Sequence, residues 1–452
     1  MAAPQGSQGA PQACDLLVEA GWIVPVEPRG VVLEGHALVV DEGRIVALLP
    51  VAEAHARFAP RERVSRPDAV LIPGLVNAHT HNPMTLMRGV ADDLPLMPWL
   101  QEHIWPVEAA VMSPAFIADG CELAVAEMLR GGTTCCNENY FFPDMQAATY
   151  KRLGFRAVVG LPFIDFPSAW AATTAEYFDK GLEVHDAYRR DPLVTFSFAP
   201  HAPYTVGDPS FERIRMLAEQ LDLPVHCHVH ETAHEVEESV RQHGQRPLAR
   251  LDRLGLVNER LVAVHMTQLT EAEIALCAER GVSVAHCPQS NLKLASGFCP
   301  AEALRRAGVN LAIGTDGCAS NNDLDMFDEL RTAALLAKGV AGDATAMDAA
   351  ATLHAATLGG ARALGLGDRI GSLEVGKQAD FTCVSLGGIE TQPLYHPISQ
   401  LVYACGRSQV RDVWIAGRRK LADGELVDMD VPGLLARAAR WRDRIAAVRK
   451  PA

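Results

Sequence analysis

No two cysteines in this chain are spaced C-x-x-C, and the eleven present are scattered, an odd number that leaves one over in any pairing. This excludes a zinc ribbon and argues against a disulfide framework, and it points to a reducing compartment, the cytoplasm. Long hydrophobic runs are also missing: no window approaches the roughly 18 to 20 consecutive apolar residues of a membrane span. The opening MAAPQGSQGAPQAC has neither the basic nor the apolar region of a secretory signal. Basic charge is in deficit, 41 Lys and Arg against 55 Asp and Glu for a formal charge of −14, and no basic stripe stands out. A binder that works by neutralising phosphates needs the opposite balance, so neither nucleic acid nor a membrane is expected as a partner.

What is present suits a large enzyme. Hydrophobic residues make up 48% and charged residues 21% of 452, enough for a sizeable core and incompatible with disorder of the whole chain. At about 100 to 200 residues per domain the length suits one large and one smaller domain, since a single α/β barrel absorbs about 250.

Residues 1–13 are Gly/Ala/Pro/Gln-rich and read as disordered. Short β-like runs such as LLVEAGWIVPV and RIVALLP follow, and the same texture returns near the other end in GSLEVGKQADFTCVSL and VRDVWIAGRRK. Residues 14–70 and 368–430 are therefore expected to build one small β-sandwich domain from both chain ends. Between them, residues 71–367 alternate strand-like and helical patterns. Eight strands are read, in LIPGLVNAH, TTCCNEN, FRAVVGLP, LVTFSFAP, PVHCHVH, LVAVHM, VSVAHCP and NLAIGTD. Eight βα units over about 250 residues predict a closed (β/α)8 TIM barrel, of the α/β class. An open doubly wound sheet would carry a Gly-rich phosphate loop after its first strand, and PGLVNAHTH is not one. Residues 431–452 read as a basic C-terminal helix docked on the body.

Barrel chemistry sits at the C-terminal ends of strands, and imidazoles and carboxylates gather at those ends here. The first ends in His79-Thr80-His81, the fifth in His226, His228 and His230 followed by Glu231, the sixth in His265, the seventh in His286 and the eighth in Thr315-Asp316-Gly317. Alternate residues of a strand face the same way, so His79 and His81 can address one ion. Parallel barrel strands are otherwise branched apolar runs, so this many imidazoles at one end is costly unless something organises them. A divalent ion such as Zn2+, held by three imidazoles and a carboxylate with a position left for water, is the simplest organiser; Fe2+ or Mn2+ would serve too. Periodicity does not separate His226, His228 and His230.

The stretches PGLVNAHTHNPMTLMRGVADDLPLMPWLQEHIWPVEA, PHAPYTV, HVHET, AVHMTQL, HCPQSNLKLASG and GTDG resemble the amidohydrolase superfamily. Within it they are most similar to the nucleobase-deaminase and triazine-hydrolase branch, nearest the 5′-methylthioadenosine/S-adenosylhomocysteine deaminases. The resemblance runs from about Asp15 to Gly424. It implies that His79, His81, His228 and Asp316 hold one catalytic metal, with His228 singled out because the family pattern is His-x-x-Glu and Glu231 stands three residues on. It further implies His265 beside the attacking water, Glu231 and Asp316 as proton carriers that also touch substrate, Glu108 on the ribose hydroxyls and His201 on the substrate.

Hydrolytic deamination of an adenine nucleoside follows as the expected reaction, with a small-molecule substrate and a homo-oligomer as the default assembly. Guanine, 8-oxoguanine, cytosine and chlorotriazine enzymes share much of the constellation and form the alternative. A binuclear cyclic-amide hydrolase would need a lysine at the end of the fourth strand, which instead ends Ala199-Pro200-His201, and a non-catalytic relative would have lost ligands that are all present here.

Trp99, Trp105, Met84, Leu86 and Met97 are candidates for an apolar pocket, although such residues are more often plain core. Ser290, Asn291 and Lys293 are candidates for the pocket mouth. His286, Cys287, Cys135 and Cys136 receive no chemical role. Some members of the family it resembles supply arginines on and after the third strand, where this chain reads GLPFIDFPSAWAATTAEYFDK, without a basic residue before Lys180. With Phe163, Phe166 and Trp170 there and Asp165 its only early acid, this wall is expected to favour methylthioadenosine over the amino-acid-bearing S-adenosylhomocysteine.

Overall fold

A computed structural model describes residues 10–449. Most of the segment expected to be disordered, and the end of the C-terminal segment, lie outside the described residues. The first strand of the chain-end sheet starts at Gln12, inside that expected segment.

Eight parallel strands run in strict chain order: Leu75–Thr80, Thr133–Glu138, Arg156–Phe163, Val194–Pro200, Val225–Val229, Leu261–His265, Ser283–His286 and Asn310–Ile313. They curl into a barrel whose seam is spanned by a parallel bridge between Thr80 and Asp316, with the Asp316 amide donating to the His79 carbonyl at 3.0 Å. All eight predicted strands are here. The run LIPGLVNAH divides, however, because LIP ends the long strand Phe58–Pro73 of the other sheet and Gly74 turns the chain into the barrel. A Cβ at Gly74 would lie 2.0 Å from the Thr134 hydroxyl, so no larger residue fits the turn.

The chain ends share one nine-stranded mixed sheet, joined where Phe58–Pro73 pairs antiparallel with Phe381–Ser385 and parallel with Gln12–Ile23. One fully buried ion pair ties it to the barrel: Arg156, opening the third barrel strand, reaches Asp380 at 2.6 Å, both about 1% exposed. The predicted C-terminal helix, Val431–Ala446, docks on Pro114–Arg130 through Trp441 Nε1 and Arg437, which both reach Asp119 at 2.8 Å. Among the described residues no single helix is long and apolar enough to cross a membrane.

Candidate active site

The first, fifth and eighth strands deliver His79, His81, His228 and Asp316 to one point. Asp316 Oδ1 lies 3.1 Å from His79 Nε2 and 3.2 Å from His81 Nε2, and the Nε2 atoms of His79 and His228 are 3.2 Å apart. The far side of two rings is pinned by acceptors. His81 Nδ1 donates to the Asn139 carbonyl at 2.5 Å and His228 Nδ1 to the His201 carbonyl at 2.6 Å. Each Nε2 is thereby turned inward, the arrangement in which histidine ligates metals.

Three imidazole nitrogens and a carboxylate oxygen this close form a set that draws positive charge to its centre. Burial pushes His79 down to about 4, against the pull of Asp316. At His81 burial also opposes charge, but the Asp316 hydrogen bond and charge outweigh it and lift the ring to about 9. Asp316 is held well below the usual carboxylate range: burial works to raise it, and the hydrogen bonds from His79 and His81 prevail. A divalent metal satisfies the same donors, and the site fits one. Asp316 Oδ2 accepts from Ser290 Oγ at 2.6 Å and Ser320 Oγ at 2.8 Å, which leaves Oδ1 for the centre.

Beside this cluster, Glu231 Oε2 stands 3.7 Å from His265 Nε2. Burial raises the Glu231 carboxyl while His265 draws it back. His265 Nδ1 donates to Asn291 Oδ1 at 2.8 Å, which aims Nε2 toward Glu231. The Glu231 loop is fixed by Glu235, whose carboxylate accepts from the amides of His230 (3.1 Å) and Glu231 (2.7 Å). His265 and Asp316 sit at φ of 72° and 62°, left-handed conformations that side chains other than Gly seldom adopt and that concentrate at functional sites.

His81, His201, His228, Glu231, His265 and Asp316 all line one cavity of about 660 Å3, with Glu108 on another part of its wall. His201 Nδ1 is fixed by Thr205 Oγ1 at 3.0 Å, and burial pushes the ring down to about 3. Of the expected apolar residues, Met84, Trp99, Trp105, Phe163 and Phe166 line the cavity. Leu86, Met97 and Trp170 do not. Leu86 and Trp170 are buried in the core, Trp170 against Tyr177, and Met97 packs on the core only partly buried. Lys293 also turns away, to Asp92 at 2.5 Å, while Ser290 and Asn291 act through Asp316 and His265. Asp165 caps the Gly207 amide at 2.6 Å and Ser210 at 2.7 Å. Among the described residues, no Lys or Arg lines the cavity.

The three fifth-strand histidines part company. His228 faces the centre, His226 sits behind His79, and His230 Nε2 accepts the Leu248 amide at 3.1 Å. Sequence reasoning missed Tyr140, whose hydroxyl donates to Glu108 Oε1, and Ser320. Only position hinted at either: Tyr140 follows the second strand end and Ser320 the eighth. The segment Trp99–Ile104 is π-helical, a shape frequent at functional sites, and carries Trp99, Leu100 and Ile104 into the wall.

A family model described as Amidohydrolase family matches residues 70–420, and the chain belongs to that family. Among relatives, it is 47% identical over 435 residues to the 5-methylthioadenosine/S-adenosylhomocysteine deaminase of Teredinibacter turnerae, covering 96% of this chain and 98% of the relative. It is 45% identical to the protein of that name from Saccharophagus degradans, at the same coverage. A solved adenosine deaminase from Xanthomonas campestris with bound zinc superposes at a TM-score of 0.96 with 73% identity, over 97% of this chain and all of that one. The atrazine chlorohydrolase of Arthrobacter aurescens shares the fold, at a TM-score of 0.87 and 22% identity over 94% of this chain and all of that one.

Proposed function

We propose that this chain is a zinc-dependent hydrolytic deaminase of adenine nucleosides, acting best on 5′-methylthioadenosine and more weakly on S-adenosylhomocysteine, with adenosine also within its range. The observation that carries the reading is the meeting, in one cavity, of a four-donor metal set, the Glu231–His265 pair and Glu108. The relatives' names and the zinc in the 73% identical structure support it.

His79, His81, His228 and Asp316 would hold one zinc ion per chain. When bound, the ion supplies the Lewis acid that makes water nucleophilic near neutral pH. Glu231, whose carboxyl is raised by burial, gives a proton to purine N1 as the ring loses aromaticity on attack at C6. His265 orients the attacking water and stabilises charge at C6. Asp316 takes the proton that the water sheds and hands it to the departing amine. As the C6 carbonyl forms, the carboxylate left on Glu231 takes the hydroxyl proton, so water and nucleoside become an inosine-type product and ammonia with Glu231 restored. Glu108, with one oxygen occupied by Tyr140, accepts from the ribose hydroxyls through the other, and His201 contacts the bound nucleoside. The apolar wall of Phe163 and Phe166 takes the S-methyl group.

In this reading residues 71–367 carry the chemistry, and residues 14–70 with 368–430 form the supporting domain. The protein acts in the cytoplasm, in keeping with eleven buried free thiols. It assembles as a homo-oligomer, for which Ile389 and Tyr395, both strongly exposed, offer apolar surface to cover.

The test is a panel of purine nucleosides and free bases with zinc-loaded protein, followed by ammonia release and the ultraviolet change of adenine deamination. Turnover of methylthioadenosine above all others is expected; turnover confined to guanine, cytosine or a chlorotriazine would overturn the reading.

A further inference from the structure

We infer that His226 is a positioning residue that fixes which nitrogen of His79 faces the metal, and thereby how tightly the ion is held. The inference rests on the metal-dependent reading above and concerns a residue that plays no part in the proposed chemistry.

His226 and His228 are two residues apart on the fifth strand, so both side chains point into the barrel. His228 reaches the cavity, whereas His226 is fully buried in a layer that such barrels fill with branched apolar side chains. An imidazole there costs desolvation unless a partner returns it. Its side-chain partner is His79: His226 Nε2 lies 3.2 Å from His79 Nδ1, the rings tilted by 31°, while among the described residues His226 Nδ1 meets no hydrogen-bond partner, so the ring's polar contact is spent on His79.

The three imidazoles of the centre are not pinned alike. Behind His81 and His228 stand backbone carbonyls, which only accept, so Nδ1 must carry the proton and Nε2 must be bare. Behind His79 stands a second imidazole, which accepts or donates according to where its own proton sits. For His79 Nε2 to be a ligand, Nδ1 must donate and His226 Nε2 must accept, with the His226 proton on Nδ1. Among the described residues no other side chain or carbonyl hydrogen-bonds His79 Nδ1, so this ring depends on His226 for what its two companions obtain from the main chain.

A purely structural role predicts a different response to substitution. Leucine in place of His226 matches the apolar layer, so the metal-free fold should not suffer, while His79 loses its acceptor. Glutamine places an amide oxygen near the position of Nε2 and keeps the acceptor. Zinc affinity of the full-length protein is measured by competition with a chromophoric chelator, alongside melting of the metal-stripped protein. For His226→Leu we expect affinity to fall about ten- to hundred-fold, the usual loss when such a partner is removed, with metal-free melting no lower than wild type. His226→Gln should stay within about three-fold of wild type. Imidazole 15N shifts of the zinc-loaded wild type, which require no variant, should show His79 protonated at Nδ1 and His226 bare at Nε2.

Wild-type affinity in His226→Leu, equal losses in the Leu and Gln variants, or the opposite tautomers in the 15N spectrum would each overturn the inference. Wild-type protein that binds no zinc would instead overturn the metal-dependent reading itself.

Discussion

Arg156 and Asp380 form a bidentate ion pair, Nε to Oδ2 at 2.6 Å and Nη2 to Oδ1 at 3.0 Å, at the junction of the barrel and the chain-end sheet. Asp380 also accepts the Ala416 amide at 2.8 Å, so both partners are saturated inside the protein. Removing one strands a buried charge, at a cost of about 3 to 5 kcal/mol. Arg156→Met and Asp380→Leu should each lower the urea midpoint strongly, and the double variant should recover much of the loss because no lone charge remains. Additive losses in the double variant would show that the pair is not the link.

Glu231→Gln should keep its metal and lose activity by a factor of about 10^2 to 10^4, the range for a proton donor in the transition state. Zinc content by elemental analysis and single-turnover rates measured together separate this outcome from loss of the site. Full activity in the variant would remove Glu231 from the reaction.

If Glu108 holds the ribose as proposed, the pH profile should show an acid limb set by its carboxyl. Burial pushes its carboxyl up to about 7, against the hydrogen bond from Tyr140. A carboxyl raised in this way is neutral below that value and ionised above it, so its capacity to accept from two ribose hydroxyls is lost as pH falls through about 7. kcat/KM for methylthioadenosine should decline over that range. Glu108→Gln should flatten the limb and raise KM, and a 2′,3′-dideoxy substrate should lack the limb altogether.

Among the described residues the cavity wall carries no Lys or Arg, which bears on the 5′ substituent. An unpaired carboxylate buried against Phe163 and Phe166 costs about 1 to 3 kcal/mol or more. Methylthioadenosine should therefore be preferred over S-adenosylhomocysteine by roughly ten-fold or greater in kcat/KM, the factor that about 1.4 kcal/mol represents. Phe166→Arg should narrow or reverse the ratio, since a guanidinium pairs a carboxylate bidentately. Equal kcat/KM for the two substrates in the wild type would mean that a basic group reaches the site by another route.

Much of this molecule is legible in its sequence because barrel strands are short apolar runs with a fixed direction. Their ends mark the chemistry, which is how His79, His81, His265 and Asp316 stand out. What stays hidden is set by contacts between distant segments. Nothing local tells that Tyr140 will meet Glu108, or that Ser290 and Ser320 will share one oxygen of Asp316. The division of LIPGLVNAH between two sheets escapes for a similar reason, since it depends on the approach of Thr134 to Gly74. His226, His228 and His230 have one residue type and one spacing, and only the element facing each distinguishes them.

The barrel seam is crossed by the Thr80–Asp316 bridge and by Asn77 hydrogen-bonding Thr315, and the donors gathered there come from both of its lips, His79 and His81 on one side and Asp316 on the other. An ion held by all three is a cross-link between the first and last strands, shutting a loop that runs from His79 to Asp316. Closing so long a loop would remove chain entropy, and the bound ion would oppose motions that part the two strands. Amide exchange in Leu75–Thr80 and Asn310–Ile313 should slow on metal loading more than in the strands opposite, the mark of a metal that would fasten the scaffold.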